Sequence, residues 1–486
     1  MAKIKDISPP NKEVQRQRFS FPKVGSTSGL FKDAKMDRSI FDYSTPTLTD
    51  NGKPAARRGR KANGSCCNRT AGLPRRTGMM TMKATRIAFA MLIVGLVAVG
   101  GSAVNAFHHG GVAECIGCHS MHDPLGGYLT VGSDSSSTCL TCHEGTSLRS
   151  YRVSTAPSAM PAGTAPLQRN PGGDFGWVKK TYTWVVRGST AAEAGQTHGH
   201  NIVATDFGYV ADTDNTVAPG GGSLLAEDLS CTSCHDPHGK LRRLEDGTID
   251  NTGAPIIDSG SYAGSPDPGV GEAVGVYRLL AGQGYGEFAG AQDPPAAVAP
   301  NTYNQSEQDD QVRVAYGAGM SDWCATCHPD MHVGGPNTVH PIDDTLGTAI
   351  ADNYDDYVGS GDASGVHATS FLSLVPFGED TVDYTALKAL AKSDDSDLNG
   401  PSANSMVTCM SCHRAHASGF EYALRWNPES ELLTYAGLWP STTNGSPPQY
   451  ARGRAEGEMQ AAYYDRLPST FATYQRSLCN KCHIQD

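Results

Sequence analysis

Six sites in this 486-residue chain share the form Cys-x-x-Cys-His: Cys115/Cys118/His119, Cys139/Cys142/His143, Cys231/Cys234/His235, Cys324/Cys327/His328, Cys409/Cys412/His413 and Cys479/Cys482/His483. Two thiols three residues apart sit on one side of a helical turn, and the imidazole follows at once. That spacing suits covalent c-type haem attachment, in which the thiols bond the two haem vinyl groups and the imidazole becomes the proximal iron ligand. Paired cysteines also open zinc ribbons, so a single motif would be ambiguous. With 16 His in the chain, six pairs each followed by His would arise by chance about once in 10⁹, which leaves six covalently bound c haems as the reading. Of the 14 Cys, Cys66 and Cys67 precede all the motifs and the other twelve lie inside them. No thiol remains for a disulfide, a nucleophile or a separate metal.

The second axial ligand separates electron transfer from catalysis, because an iron with both positions filled cannot bind a substrate. Ten His lie outside the motifs: His108, His109, His122, His198, His200, His238, His332, His340, His367 and His416. These suffice for six bis-His haems, with Met121 and Met331 as alternative ligands. His122, His238 and His416 follow a proximal His as Cys-His-x-x-His, and His332 follows as Cys-His-x-x-x-His. Residues three or four apart in a turn project from one side, whereas axial ligands approach iron from opposite faces. Each of these four therefore reaches the iron of a different haem, and the sequence encodes a connected chain of haems. For His122 the candidates are the adjacent haem of Cys139/Cys142 and a haem elsewhere.

Composition agrees with a cofactor-filled interior. Hydrophobic residues make up 38% of the chain, with 55 Gly and 29 Pro, which is thin material for ordinary cores of this size. Only 24 residues separate Cys115 from Cys139, so the first two haems must touch, and later gaps run through Gly/Pro-rich loops at 156–176, 219–222, 259–271 and 441–448. The expected fold is mostly irregular, with short helices and few strands wrapped around six haems. Helical patches are expected at 384–392 and 455–464, where Ala, Leu, Met and Glu cluster.

The net charge of -11 hides an asymmetry. Residues 1–81 hold 17 basic and six acidic side chains, whereas the chain from Phe107 onward holds 20 basic against 44 acidic. Between them lies the pattern of a secretory signal: Lys83 and Arg86, an apolar run from Ile87 to Val99, and Val104-Asn105-Ala106 before Phe107. That run is short of the roughly 20 residues needed to span a bilayer, so 82–106 reads as a removed signal with no membrane span in the mature chain. Residues 1–81 read as a start-site artefact, with translation beginning at Met79, Met80 or Met82, or as a disordered basic arm. Residues 107–486 form the hexahaem domain. Its acidity argues against nucleic acid and anionic membranes as partners and favours cationic ones, metal-oxide surfaces among them.

The segments Met160 to Gln168, Pro171 to Trp184, Ser233 to Lys240, Cys412 to Phe420 and Leu478 to His483, with the six motifs in order, resemble the outer-surface hexahaem cytochrome nanowires of metal-respiring bacteria. The resemblance covers essentially 107–486. It implies bis-His haems in alternating stacked and T-shaped contacts, subunits joined end to end into an extracellular filament after passage through the periplasm, redox partner cytochromes, and external electron acceptors such as metal oxides. It also implies that His122 ligates the haem of Cys409/Cys412 in the next subunit. His108, His200, His238, His332, His340 and His416 match as the other distal candidates, seven for six places, so one is a spectator. His109, His198 and His367 do not match and are expected at the surface. The expected role is electron transfer without catalysis. Alternatives are a monomeric periplasmic shuttle and a multihaem oxyanion reductase, the latter opposed by six motifs that all end in His and by abundant spare His.

Overall fold

The computed structural model describes residues 115–484 except 150, 253, 256–260, 286–291, 301–305, 309–310 and 333–339. The basic prefix, the signal segment, His108 and His109 lie outside the described residues. Among those described, the longest helix is Gly347–Asp356 and the longest strands have five residues. Among the described residues no helix is long and apolar enough to cross a membrane. Most of the described residues lie in turns and loops, as composition indicated.

Helices form where local capping allows it. Asp383 accepts from the backbone N–H groups of Thr385 and Ala386 and starts the Tyr384–Leu390 helix. Glu456–Ala462 is the second anticipated helix. Gly347–Asp356 was not anticipated; its Ala351, Tyr354 and Asp355 turn inward, a stripe too short to stand out among polar neighbours. The chain's regular hairpin, Tyr182–Val186 paired antiparallel with Ser189–Glu193, was also missed. Its alternation is visible in retrospect. Arg187 and Gly188 turn it with φ of 51° and 81°, the left-handed pair that tight hairpins require. Two four-stranded sheets of very short strands and a parallel pair, Glu144–Gly145 with Ser154–Thr155, make up the other sheets among the described residues.

The chain builds an apolar core of its own beside the motifs. Trp177, Phe420, Trp426, Trp439, Met459 and Tyr463 are buried together, and Trp439 stacks on Tyr463 with ring centres 3.9 Å apart. The Trp439 indole donates to the Arg466 carbonyl at 2.8 Å, so its polar edge is not left unpaired.

Candidate haem sites

Each motif is a single turn. Cys115–Cys118, Cys231–Cys234 and Cys409–Cys412 are four-residue helices, and the second motif ends the Ser135–His143 helix. The backbone N–H of His119, His235, His328, His413 and His483 donates to the carbonyl of the first Cys of its own motif, at 2.8 to 3.1 Å. That bond closes the turn and carries the imidazole past both thiols. All twelve described cysteines are free of disulfides.

The thiols place the motifs in sequence order in space. Cys118 neighbours Cys142, Cys139 meets Cys231, Cys234 neighbours Cys327, Cys324 meets Cys409, and Cys412 neighbours Cys479 and Cys482. The motifs therefore form one row. Its two direct thiol contacts, second to third site and fourth to fifth, are built alike: the Cys231 N–H donates to Ser136 Oγ and the Cys409 N–H to Ser321 Oγ.

Five of the six proximal imidazoles are held in one tautomer. Nδ1 lies 2.9 Å from the Tyr128 carbonyl in His119, 2.5 Å from that of Tyr151 in His143, 2.8 Å from that of Arg278 in His235, 2.7 Å from that of Pro219 in His328 and 2.7 Å from that of Tyr422 in His413. A carbonyl can only accept, so Nδ1 carries the proton and Nε2 presents its lone pair. Burial pushes the pKa of His143, His235 and His413 below the usual value, which keeps the ring neutral and able to ligate.

At the first, third and fifth sites the accepting carbonyl belongs to a strained pair: Tyr128-Leu129, Arg278-Leu279 and Tyr422-Ala423 all have φ between 51° and 61°. Non-glycine residues adopt that region at a cost of about 1–3 kcal/mol each. Here the conformation is held on both sides, since the next residue bridges back to the proximal His in each case: Thr130 to His119, Leu280 to His235 and Leu424 to His413. Sequence reading missed these holders. Tyr128 and Tyr422 both stand nine residues after their proximal His, a signal that was available, whereas Arg278 stands far along the chain.

Four second imidazoles face proximal ones. Ring centres are 6.4 Å apart for His119 and His238, 6.4 Å for His235 and His416, 6.1 Å for His328 and His200, and 6.1 Å for His483 and His340. Two imidazoles on opposite faces of one metal, with bonds of about 2.0 Å and each ring centre about 1.1 Å behind its nitrogen, need about 6.2 Å. The four separations fit an iron between the rings and are too long for direct hydrogen bonding. His200 and His416 are also oriented through Nδ1, at 2.7 Å from the Ala415 carbonyl and 3.2 Å from the Gly173 carbonyl. Gly173 is required there: its φ is +90°, and a Cβ would sit 1.9 Å from the Ala417 carbonyl oxygen.

The pairing is ordered. His238, from the third motif, faces the first site, and His416, from the fifth, faces the third. In both, the His that trails the motif faces the site two places earlier. His122, from the first motif, has no earlier site in its own chain, and its side chain is exposed. His413, proximal at the fifth site, is the reciprocal case: among the described residues no second imidazole stands at this distance from it. His332 instead lies against Asp322 and Asp343, with Nε2 at 3.1 and 3.7 Å from their carboxylates.

His198 corrects an expectation, because it is fully buried rather than at the surface. Its ring bonds the Trp177 carbonyl at 2.9 Å and the Glu193 carboxylate at 2.7 Å, and Glu193 also receives Arg452 and Arg454. Burial alone would raise the pKa of Glu193, but these partners outweigh it and hold it down to about 2. His367 is half exposed and pairs with Asp355 at 2.8 Å, as a surface residue would.

No family model matches the chain. It is 52% identical over 410 residues to the C-type cytochrome OmcS of Geobacter sulfurreducens, covering 78% of this chain and 94% of that protein. It is also similar to two solved structures, the OmcS nanowires and the outer membrane cytochrome S filament of Geobacter sulfurreducens. Each has a TM-score of 0.72, with 52% and 51% identity, over 78% of this chain and the whole of theirs. The motifs, their order and this likeness agree: the chain belongs to the OmcS family of c-type cytochromes.

Proposed function

We propose that this protein is the subunit of an extracellular filament that conducts respiratory electrons along a row of six c-type haems. Cys115/Cys118, Cys139/Cys142, Cys231/Cys234, Cys324/Cys327, Cys409/Cys412 and Cys479/Cys482 bind the haems, with His119, His143, His235, His328, His413 and His483 as proximal ligands. His238, His416, His200 and His340 complete the first, third, fourth and sixth sites, and His108 is assigned to the second. The haem supplies the reversible iron couple. The chain supplies fixed neutral imidazoles on both faces, which hold coordination constant between redox states, and keeps neighbouring sites close. His332 is the spectator. Residues 82–106 direct export and are removed, so the mature chain starts at Phe107.

The observation that carries the assembly is the two-place register. It leaves His122 a donor without a site and His413 a site without a donor, and joining one subunit to the next satisfies both. The surroundings of His122 support this, because Ile116, Met121, Leu125 and Tyr128 are all strongly exposed, as is Tyr422 beside His413. Apolar patches of that kind mark an interaction surface. Redox partner cytochromes deliver electrons, and acceptors such as metal oxides receive them.

Microscopy and carbon monoxide binding test the reading on one variant. His122→Ala should retain six haems, lose long filaments and open one iron per subunit to carbon monoxide. Normal filaments with six closed irons would overturn trans-ligation, and wild-type protein that forms no filaments at all would favour the monomeric shuttle.

A further inference from the structure

Three guanidinium groups lie behind the fifth motif with one carboxylate among them. Arg414 reaches Glu307 at 3.0 Å and the Pro171 carbonyl at 3.1 Å, and its guanidinium covers the Tyr464 ring. Arg425 lies 3.5 Å from the other Glu307 oxygen and donates from Nε to the carbonyls of Met410, at 2.8 Å, and of His413 itself, at 3.1 Å. Arg466 bonds the Ser373 hydroxyl. All four charged residues are buried, at 1%, 1%, 7% and 3% exposure for Arg414, Arg425, Arg466 and Glu307. Asp465, the nearby second carboxylate, is engaged by Arg169 at 2.9 Å. Burial lowers the Arg466 pKa against the pull of Glu307, but only to about 10, so it stays charged at neutral pH.

The cluster is thus under-compensated. Arg414 Nε and Nη2, Arg425 Nη2, and Arg466 Nε and Nη1 have no hydrogen-bond partner, and three positive charges face one negative. Buried charge without a counter-charge is destabilising and calls for a reason. Direct contact with the haem is not that reason. The unpartnered nitrogens of these guanidinium groups are sealed by protein atoms, so they do not line the haem cleft. They sit behind it, one of them bonded to the backbone of the proximal ligand. In so poorly screened a place a fixed charge acts at a distance. The oxidised haem carries one more positive charge than the reduced, so a positive field disfavours oxidation.

We infer that Arg414, Arg425 and Arg466, gathered about Glu307, form a fixed positive charge that raises the reduction potential of the haem at Cys409/Cys412. The inference rests on haem attachment at that motif, which an intact mass of each variant checks separately, and not on filament formation. It makes the site at the proposed subunit junction a better resting place for the electron than its imidazole ligands alone would.

Spectropotentiometric titration of two charge variants tests it, because they must act in opposite senses. Glu307→Gln removes the negative charge with little change of shape and should move one of the six midpoints upward. Arg466→Met, which gives up only one hydrogen bond to a hydroxyl, should move the same midpoint downward. Loss of packing alone would not reverse sign between them. Shifts in the same direction, or no shift in either, would overturn the inference. In a Cys409→Ser/Cys412→Ser background, which lacks that haem, neither substitution should move the remaining midpoints, and movement there would place the field elsewhere and overturn the assignment.

Discussion

The third and fifth sites are built from the same local parts and end differently. Both motifs open on a hydroxyl residue whose N–H is capped by the inner Ser, Ser230 by Ser233 and Thr408 by Ser411, each at 3.0 Å. Both hold the proximal Nδ1 on a strained left-handed residue and bridge back to the next one. Yet His235 faces His416 at 6.4 Å, while His413 faces no described imidazole. The difference lies in position along a repeat: at the first and third sites the facing imidazole comes from the motif two places later, and the fifth site has no seventh motif to draw on. An open end in a repeating register is a means of assembly, because the next copy's first motif continues the count.

The largest effects should come from the two donors. His416→Ala and His122→Ala should each open one iron per subunit to carbon monoxide, but only His122→Ala should abolish filaments, since His416 serves its own chain. Loss of filaments in both, read by microscopy, would break the distinction. A sharper form adds His122→Ala subunits in small proportion to assembling wild-type protein. Such a subunit accepts a neighbour's His122 but donates none, so mean filament length should fall several-fold.

Next in size is Glu193, whose setting contrasts with the under-compensated Glu307 cluster because His198, Arg452 and Arg454 all converge on it. Its folded pKa of about 2 lies below the unfolded value near 4.5, so its contribution is fully present above about pH 4.5 and is lost as pH falls through about 2. Glu193→Gln should cost about 2–3 kcal/mol at pH 7, and the gap between variant and wild type in thermal unfolding should close on acidification. A gap independent of pH would deny the ion pairs their role. His198→Ala should cost about 1–3 kcal/mol by removing one buried donor each from Glu193 and the Trp177 carbonyl.

Smaller effects compare the strained turns. Tyr422→Val places a β-branched residue at φ 60° and should cost about 1–2 kcal/mol, whereas Tyr422→Asn, which tolerates that region, should lie within about 0.5 kcal/mol of wild type. Equal losses in both would mean that the ring, not the backbone, matters. A small change belongs to His367→Ala, whose exposed ring pairs with the buried Asp355: the Ser370 hydroxyl remains as a donor to that carboxylate, so the loss should stay within about 1 kcal/mol by thermal melt.

What the sequence alone determined is the covalent chemistry: two thiols and an imidazole within five residues form a site by local geometry, and six such runs define six haems before any fold is known. It also gave the irregular architecture, since so many Gly and Pro leave little material for long elements, and the exclusion of each trailing His from its own iron. Tertiary structure alone decided which imidazole meets which. His119 and His238, or His235 and His416, lie more than a hundred residues apart, and no local pattern specifies a contact at that range. His198 and His200 make the point within three residues. Gly199 between them is extended, so the two side chains leave on opposite sides. His200 faces His328 across the span of an iron, and His198 is sealed against Glu193 and Trp177. The two look alike in the sequence, and only the packing on either side of this segment sets one across from a proximal imidazole and the other against a carboxylate.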